Sequence, residues 1–282
     1  TEAFHREGVE VRPQVSPRPL TMDFTLRTPY PFEGMAVWQR VSKRREAEWP
    51  QVYADPDFRA QLKADLAARR FTVFRGRWDL VQVTQVGKPE LQRYRGQFIS
   101  QIAQAQGQDP VDAWLDLALA DGLDTEFAAG LMNLDEEWVG KLVSHPDTVV
   151  TLSDAGAHLS LLCDAGFSGT LLAKWVRQRH TLTLEQAVRR LTHEPAQLYR
   201  IPQRGLLQPG YWADVVVFDP ATVDALPSEW VRDLPGDEPR WISRAAGIGA
   251  SLVNGVPVLR EGQVLERETG QRPGRVLREF VA

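Results

Sequence analysis

The chain is poor in the residues that mark disulfide scaffolds and clustered metal modules: 282 residues include one cysteine, Cys163, and five histidines. A single cysteine excludes an internal disulfide framework and any cysteine-rich zinc module. Flanked by Leu161, Leu162 and Asp164, it reads as a packed thiol and not as a nucleophile. No apolar run is long enough to span a bilayer, and no signal peptide is seen. The chain starts at Thr1 without an initiator methionine, so the true N-terminus is expected to lie elsewhere. Basic residues are not in excess, since 33 Lys and Arg stand against 37 Asp and Glu for a net charge of -4. Neither nucleic acid nor an anionic membrane is therefore expected as a partner, and a cytoplasmic location is the expectation. Repeats and low-complexity segments are also missing. What remains is ordinary globular text, 43% hydrophobic, with material for a real core.

Thr148 to His158 is the stretch around which the rest is organised. The β-prone residues Thr148 to Leu152 run without a polar break and stop at small residues, the pattern of a short buried strand ending in a turn. Asp154 sits at that end. Leu171, Leu172, Trp175 and Val176 follow at helical spacing, so a strand delivers a carboxylate to its C-terminal edge before a helix, where α/β folds place chemistry. Two readings of Asp154 stay open at this point: a turn or cap residue, or a functional carboxylate.

Upstream, Val9, Val11 and Val15 mark a β-segment leading into Ser16-Pro17-Arg18-Pro19, a rigid loop that would hold Arg18 at a strand end. Arg18 would there grip an anionic substrate group or serve as an ordinary ion-paired arginine. Helical signals cover Trp38 to Glu48 and Asp57 to Arg69, and Trp78 to Val86 alternates as a strand. A short helix should end near Gly107. Asp109-Pro110-Val111-Asp112 opens another, with Val111, Trp114, Leu115 and Ala118 as its buried stripe. Thr183 and Gln186 are placed for a capping box, Leu182 and Ala187 for a staple, and Leu184, Val188 and Leu191 for the buried face. That helix should stop near His193-Glu194, with a further short helix from Pro195 to Tyr199. Behind Arg204, turn residues punctuate short β-runs, and Asn254-Gly255 between apolar pairs predicts a tight hairpin. The expected division is 1–203 and 204–282.

The segment from Arg204 to Pro220, containing Gly205, Pro209-Gly210, Ala213-Asp214 and Asp219, resembles the passage by which amidohydrolase-superfamily enzymes re-enter their small β-sandwich. With Ser153-Asp154 before it and Val253-Asn254-Gly255 and Thr269 to Arg275 after it, the order is similar to that of the N-acyl-D-amino-acid deacylases, the D-aminoacylases. The resemblance implies an α/β fold: the C-terminal part of a TIM-like (β/α) barrel with a helical insertion, then a small β-sandwich. It implies a zinc-dependent hydrolase of amides of N-acyl-D-amino acids. Asp154 would touch the metal, take a proton from metal-bound water and return it to the leaving amine. His158 would line the pocket mouth or stand as a cap or surface histidine. Arg18, Lys88 and Tyr94 are candidates for a substrate carboxylate, on charge and loop placement.

The family gathers its metal with a His-x-His pair and further histidines from later strands. His5, His145, His158, His180 and His193 have no such spacing. The text before Arg204 also falls short of the roughly 250 residues a barrel needs. The expectation is the C-terminal half of a longer enzyme, inactive alone, with most zinc ligands in a missing N-terminal half or a partner chain. A non-catalytic binding or scaffold module and one subunit of a split enzyme are the alternatives. Cyclic amides such as hydantoins or dihydropyrimidines are the alternative substrates.

Overall fold

The computed structural model describes residues 1–68, 73–153, 155–156, 163, 165–265 and 272–278. Contact density separates two compact units, one built on Pro19–Leu134 and the other on Thr1–Arg18, Asp135–Leu159 and Cys163–Ala282. The boundary expected near Arg204 lies inside the second of these.

The chain begins with α1 (Glu2–Arg6) and β1 (Gln14–Val15), then enters the Pro19–Leu134 unit through β2 (Leu20–Phe24). Helices α2 (Gln39–Ser42), α3 (Trp49–Ala54) and α4 (Pro56–Ala67) follow, then β3 (Val81–Gln85), α5 (Ile99–Gln106), α6 (Pro110–Ala120) and β4 (Glu126–Met132). The sequence predicts a helical insertion here, but its centre is a three-stranded antiparallel sheet in the order β2-β4-β3. In β4 only Phe127, Ala129 and Leu131 point inward, and they alternate with Glu126, Ala128 and Gly130. Two alanines and a glycine lower the β-propensity of this strand, so period-two burial is its only signal.

Trp38 to Glu48, read as one helix, is broken into short 3-10 turns around α2, and α3 starts only at Trp49. Trp38 joins an aromatic cluster drawn from several elements of this unit. Phe32 stacks on Trp114 with centroids 4.5 Å apart, Phe24 on Phe127 at 5.4 Å, and Trp38 meets Phe58 edge-on at 5.6 Å. Such pairs add to the burial of large side chains. The helix starts behave as local chemistry dictates. Asp109 Oδ1 accepts from the Val111 amide at 2.9 Å, and Gly107 closes α5 in the left-handed region at φ 64°. Val111, Trp114, Leu115 and Ala118 are all buried.

The other unit contains α7 (Glu136–Ser144), β5 (Val149–Val150) and α8 (Phe167–Thr170), which continues as a π-helix, Leu171–Gln178. Apolar residues four apart suit α- and π-windings alike, so spacing alone predicts a helix but not its pitch. Next come α9 (Leu184–Leu191) and α10 (His193–Leu198). The capping box forms as expected: the Gln186 amide donates to Thr183 Oγ1 at 3.2 Å, and the Thr183 amide donates to Gln186 Oε1 at 2.9 Å. Ala187 and Arg190 are the buried residues of α9, while Leu184, Val188 and Leu191 are only partly covered. Pro195 lies within the first turn of α10, where an N–H has no helical partner to lose, so α10 begins two residues earlier than predicted.

Behind α10 the described elements are all strands: β6 (Val215–Phe218), β7 (Asp224–Ala225), β8 (Glu229–Arg232), β9 (Pro239–Ile242), β10 (Ala245–Ala246), β11 (Ile248–Val253), β12 (Val256–Arg260) and β13 (Gln263–Val264). Four form an antiparallel sheet ordered β13-β12-β11-β6; β7 pairs with β10 and β8 with β9. Asn254 and Gly255 both take positive φ, 49° and 81°, in the predicted hairpin turn. Arg204 explains why its signature and that turn occur together. Its guanidinium bonds the Asp214 carboxylate and donates to Asn254 Oδ1 at 2.8 Å, and the Asn254 amide donates to Asp214 Oδ1 at 2.9 Å. Asp214 is thus a lock between segments.

Trp114→Ala should lower the stability of the Pro19–Leu134 unit by about 3–5 kcal/mol, the usual loss for a large aromatic in a closed core. Chemical denaturation followed by tryptophan fluorescence measures it.

Candidate functional site

Strands β1 and β5 pair in parallel, Gln14 with Val149 and Val15 with Val150. Parallel pairing sends the chain out of both strands at the same edge, so residues 16–18 and 151–153 leave from one side. Val15 and Val150 enter the unit's apolar core with Val139, Val143, Leu171 and Trp175. The loop after β1 is held from the core: Trp175 Nε1 donates to the Pro17 carbonyl at 2.5 Å. Trp175 in turn lies so close to Gly140 that a Cβ there would stand 3.0 Å from its ring. Arg18 leaves this pinned loop half-buried, its guanidinium beside Gly166.

After β5, Thr151 Oγ1 is buried with no hydrogen-bond partner among the described residues, and the Ser153 hydroxyl accepts from the Ala155 amide at 3.2 Å. The turn therefore has a serine to fix it. Asp154 and His158 lie outside the described residues.

The approach to β5 is held by side chains from several elements. Arg190, 5% exposed, donates to the carbonyls of Thr148, at 3.1 Å, and of His145. The Thr148 hydroxyl donates to Leu142 O at 2.6 Å. Arg12 donates to Pro146 O at 3.0 Å and to Asp147 Oδ1 at 3.3 Å, and His5 Nδ1 stands 3.3 Å from Asp147 Oδ2. Burial pulls the Arg190 pKa down, with Glu194 opposing that at 3.8 Å. Sequence reading missed Arg190; the signal available was a cation on the apolar face of an amphipathic helix.

Lys88 and Tyr94 belong to the Pro19–Leu134 unit and Arg18 to the other. The Lys88 ammonium donates to the Ala120 carbonyl at the end of α6, and its amide donates to the buried Asp121 at 2.8 Å. Asp121 also accepts from the Gly87 amide and from Thr125 Oγ1, fixing the turn after β3. The Tyr94 hydroxyl accepts from Gln106 Nε2 at 3.1 Å and from Arg93, whose guanidinium lies 4.7 Å from the ring centre.

A catalytic divalent metal finds no fitting donor set among the described residues. Among the described residues no group of three or more His, Cys, Asp or Glu side chains could hold one. His5 Nε2 engages Val11, His145 Nδ1 accepts from the Asp147 amide at 3.1 Å, His180 ends a helix at φ 51°, and His193 starts α10. Cys163 is half-buried, and its carbonyl accepts from Ser228 Oγ. No helix of the described residues is long and apolar enough to cross a membrane.

Residues 41–264 match the amidohydrolase family. The chain is 35% identical over 187 residues to the N-acyl-D-glutamate deacylase of Alcaligenes xylosoxydans xylosoxydans, covering 65% of itself and 33% of that protein. It is 40% identical over 113 residues to the D-aminoacylase of the same organism, covering 40% and 20%. A crystal structure of N-acyl-D-glutamate deacylase from Bordetella bronchiseptica, complexed with zinc and a phosphonate inhibitor, aligns at 24% identity and a TM-score of 0.45, over 93% of this chain and 42% of that one. The chain spans a third or less of the length of these two curated relatives.

Trp175→Phe removes the donor to Pro17 while keeping the ring's bulk, and leaves a buried carbonyl unpaired. The expected cost is about 1–3 kcal/mol, read by denaturant titration of this unit.

Proposed function

The chain belongs to the amidohydrolase family, and we propose that it serves an enzyme that hydrolyses the amide of N-acyl-D-amino acids. The observation that carries this reading is the relationship to an N-acyl-D-glutamate deacylase along 65% of the chain. The geometry supports it. A parallel strand pair releases two loops at one edge, one bearing Arg18 and the other leading to Asp154, the arrangement in which α/β folds assemble sites.

In this reading Asp154 is the proton carrier. Water adds to the amide carbonyl and its proton passes to the Asp154 carboxylate. The carboxyl then returns that proton to the amine nitrogen as the C–N bond breaks, leaving a free carboxylate and the D-amino acid. A carboxylate suits both transfers because it is a base in the first step and an acid in the second. Arg18 is assigned to the carboxylate of the amino acid, for which a planar guanidinium offers a two-pronged match. His158 is assigned to the mouth of the pocket. Lys88 and Tyr94 keep a binding role only if substrate displaces their ties to Ala120 and Gln106. Zinc is expected of the whole enzyme, but the described residues do not fit it and none of these roles passes through it.

In the enzyme at its natural length, Asp154→Asn should reduce kcat on N-acetyl-D-glutamate by about 10²–10⁴-fold, the usual worth of a positioned acid–base group. The melting temperature should hardly change. Turnover equal to that of the parent would remove Asp154 from the mechanism.

A further inference from the structure

The ladder joining β5 to β1 is two residues long on each strand, too short to resist sliding by its own hydrogen bonds. Side chains alternate across a strand, so a slip of one residue reverses the face taken by each side chain downstream. Whatever stops that slip controls how the segment after Val150 is presented. Among the described residues the restraint lies at the strand's N-terminal end, in the turn His145–Thr148.

Arg190 is the central member of that restraint. Its two terminal nitrogens reach two carbonyls of the turn, Thr148 O at 3.1 Å and His145 O, and one of them also lies 3.4 Å from Thr148 Oγ1. It does so from α9, which is itself set by the Thr183–Gln186 capping box and packed through Ala187. Arg12 grips Pro146 O and Asp147 in the same turn. A rigid fork spanning two carbonyls fixes both rotation and translation of the backbone, which a single-point donor cannot do.

We propose that Arg190 is a positioning residue: it locks the register of β5 and, resting on the proposed hydrolase function, thereby sets the course of residues 151–153, which lead to the carboxylate assigned to proton transfer. It touches no reacting group. Its effect belongs to kcat, since the geometry of the reacting carboxylate changes and the substrate grip does not.

The test uses the enzyme at its natural length with Arg190→Gln, Arg190→Lys and, as a control on the same helix, Thr183→Ala. Hydrogen–deuterium exchange is followed over residues 149–153, and steady-state kinetics over N-acetyl-D-glutamate. R190Q should speed exchange in 149–153 by about tenfold or more, since local opening governs protection. Its kcat should fall by roughly 10²-fold with KM within about twofold, as expected for a misplaced reacting group. R190K, which keeps the charge but loses the fork, should show the same changes at smaller size and serves alone if R190Q does not fold. T183A should lower the melting temperature without faster exchange in 149–153. Unchanged exchange in the Arg190 variants, or equal exchange in T183A, overturns the proposal. If the parent enzyme hydrolyses no N-acyl-D-amino acid, the functional reading fails, while the exchange data still decide whether Arg190 sets the register.

Discussion

A parallel ladder of two residues per strand cannot fix its own register, and the course of the Thr148–Ser153 stretch depends on that register being fixed. Three kinds of force converge on it. Apolar burial holds Val15 and Val150 in the same core, the Trp175 indole pins the loop after β1, and the guanidinium groups of Arg190 and Arg12 bind the turn before β5. Burying Arg190 is costly for a charge, and the carbonyls it meets compensate part of that. The cost is consistent with a residue whose task is geometry rather than net stability.

The rest of the chain divides its physics cleanly. Pro19–Leu134 is stabilised by aromatic stacking over an antiparallel sheet, a core of Phe, Trp and Tyr that needs no charge to specify it. Burial drives the Tyr53 phenol pKa upward, and its hydroxyl is spent on Leu26 O at 2.8 Å. Behind Arg204 specificity is polar instead, because the short strands bury little and the Arg204–Asp214–Asn254 lock sets which segments meet.

Legibility followed the range of the interaction. Caps at Asp109 and Thr183, the Gly107 stop and the Asn254-Gly255 turn depend on neighbours within a few residues, and each was readable from sequence. Strand β4 was not, because its alanines and glycine pair with β2 and β3, residues far away in the chain. The π-winding of Leu171–Gln178 escaped because four-residue spacing fits two helix types. Arg190 escaped because its partners are carbonyls, which every sequence has everywhere. Of a barrel, the described residues hold one parallel pair, β1 with β5, while every other described pairing is antiparallel. Asp154 and His158 were legible as motif residues, and they lie outside the described ones.

The family relationship and the lack of a fitting donor set among the described residues lead to one physical claim: those residues carry framework but not a set of ligands for a metal. Elemental analysis of the purified 282-residue chain after dialysis against metal-free buffer tests that most directly. Zinc well below one equivalent is the predicted result. One tightly bound equivalent would contradict the claim and would place a complete site among Asp154 and the five histidines.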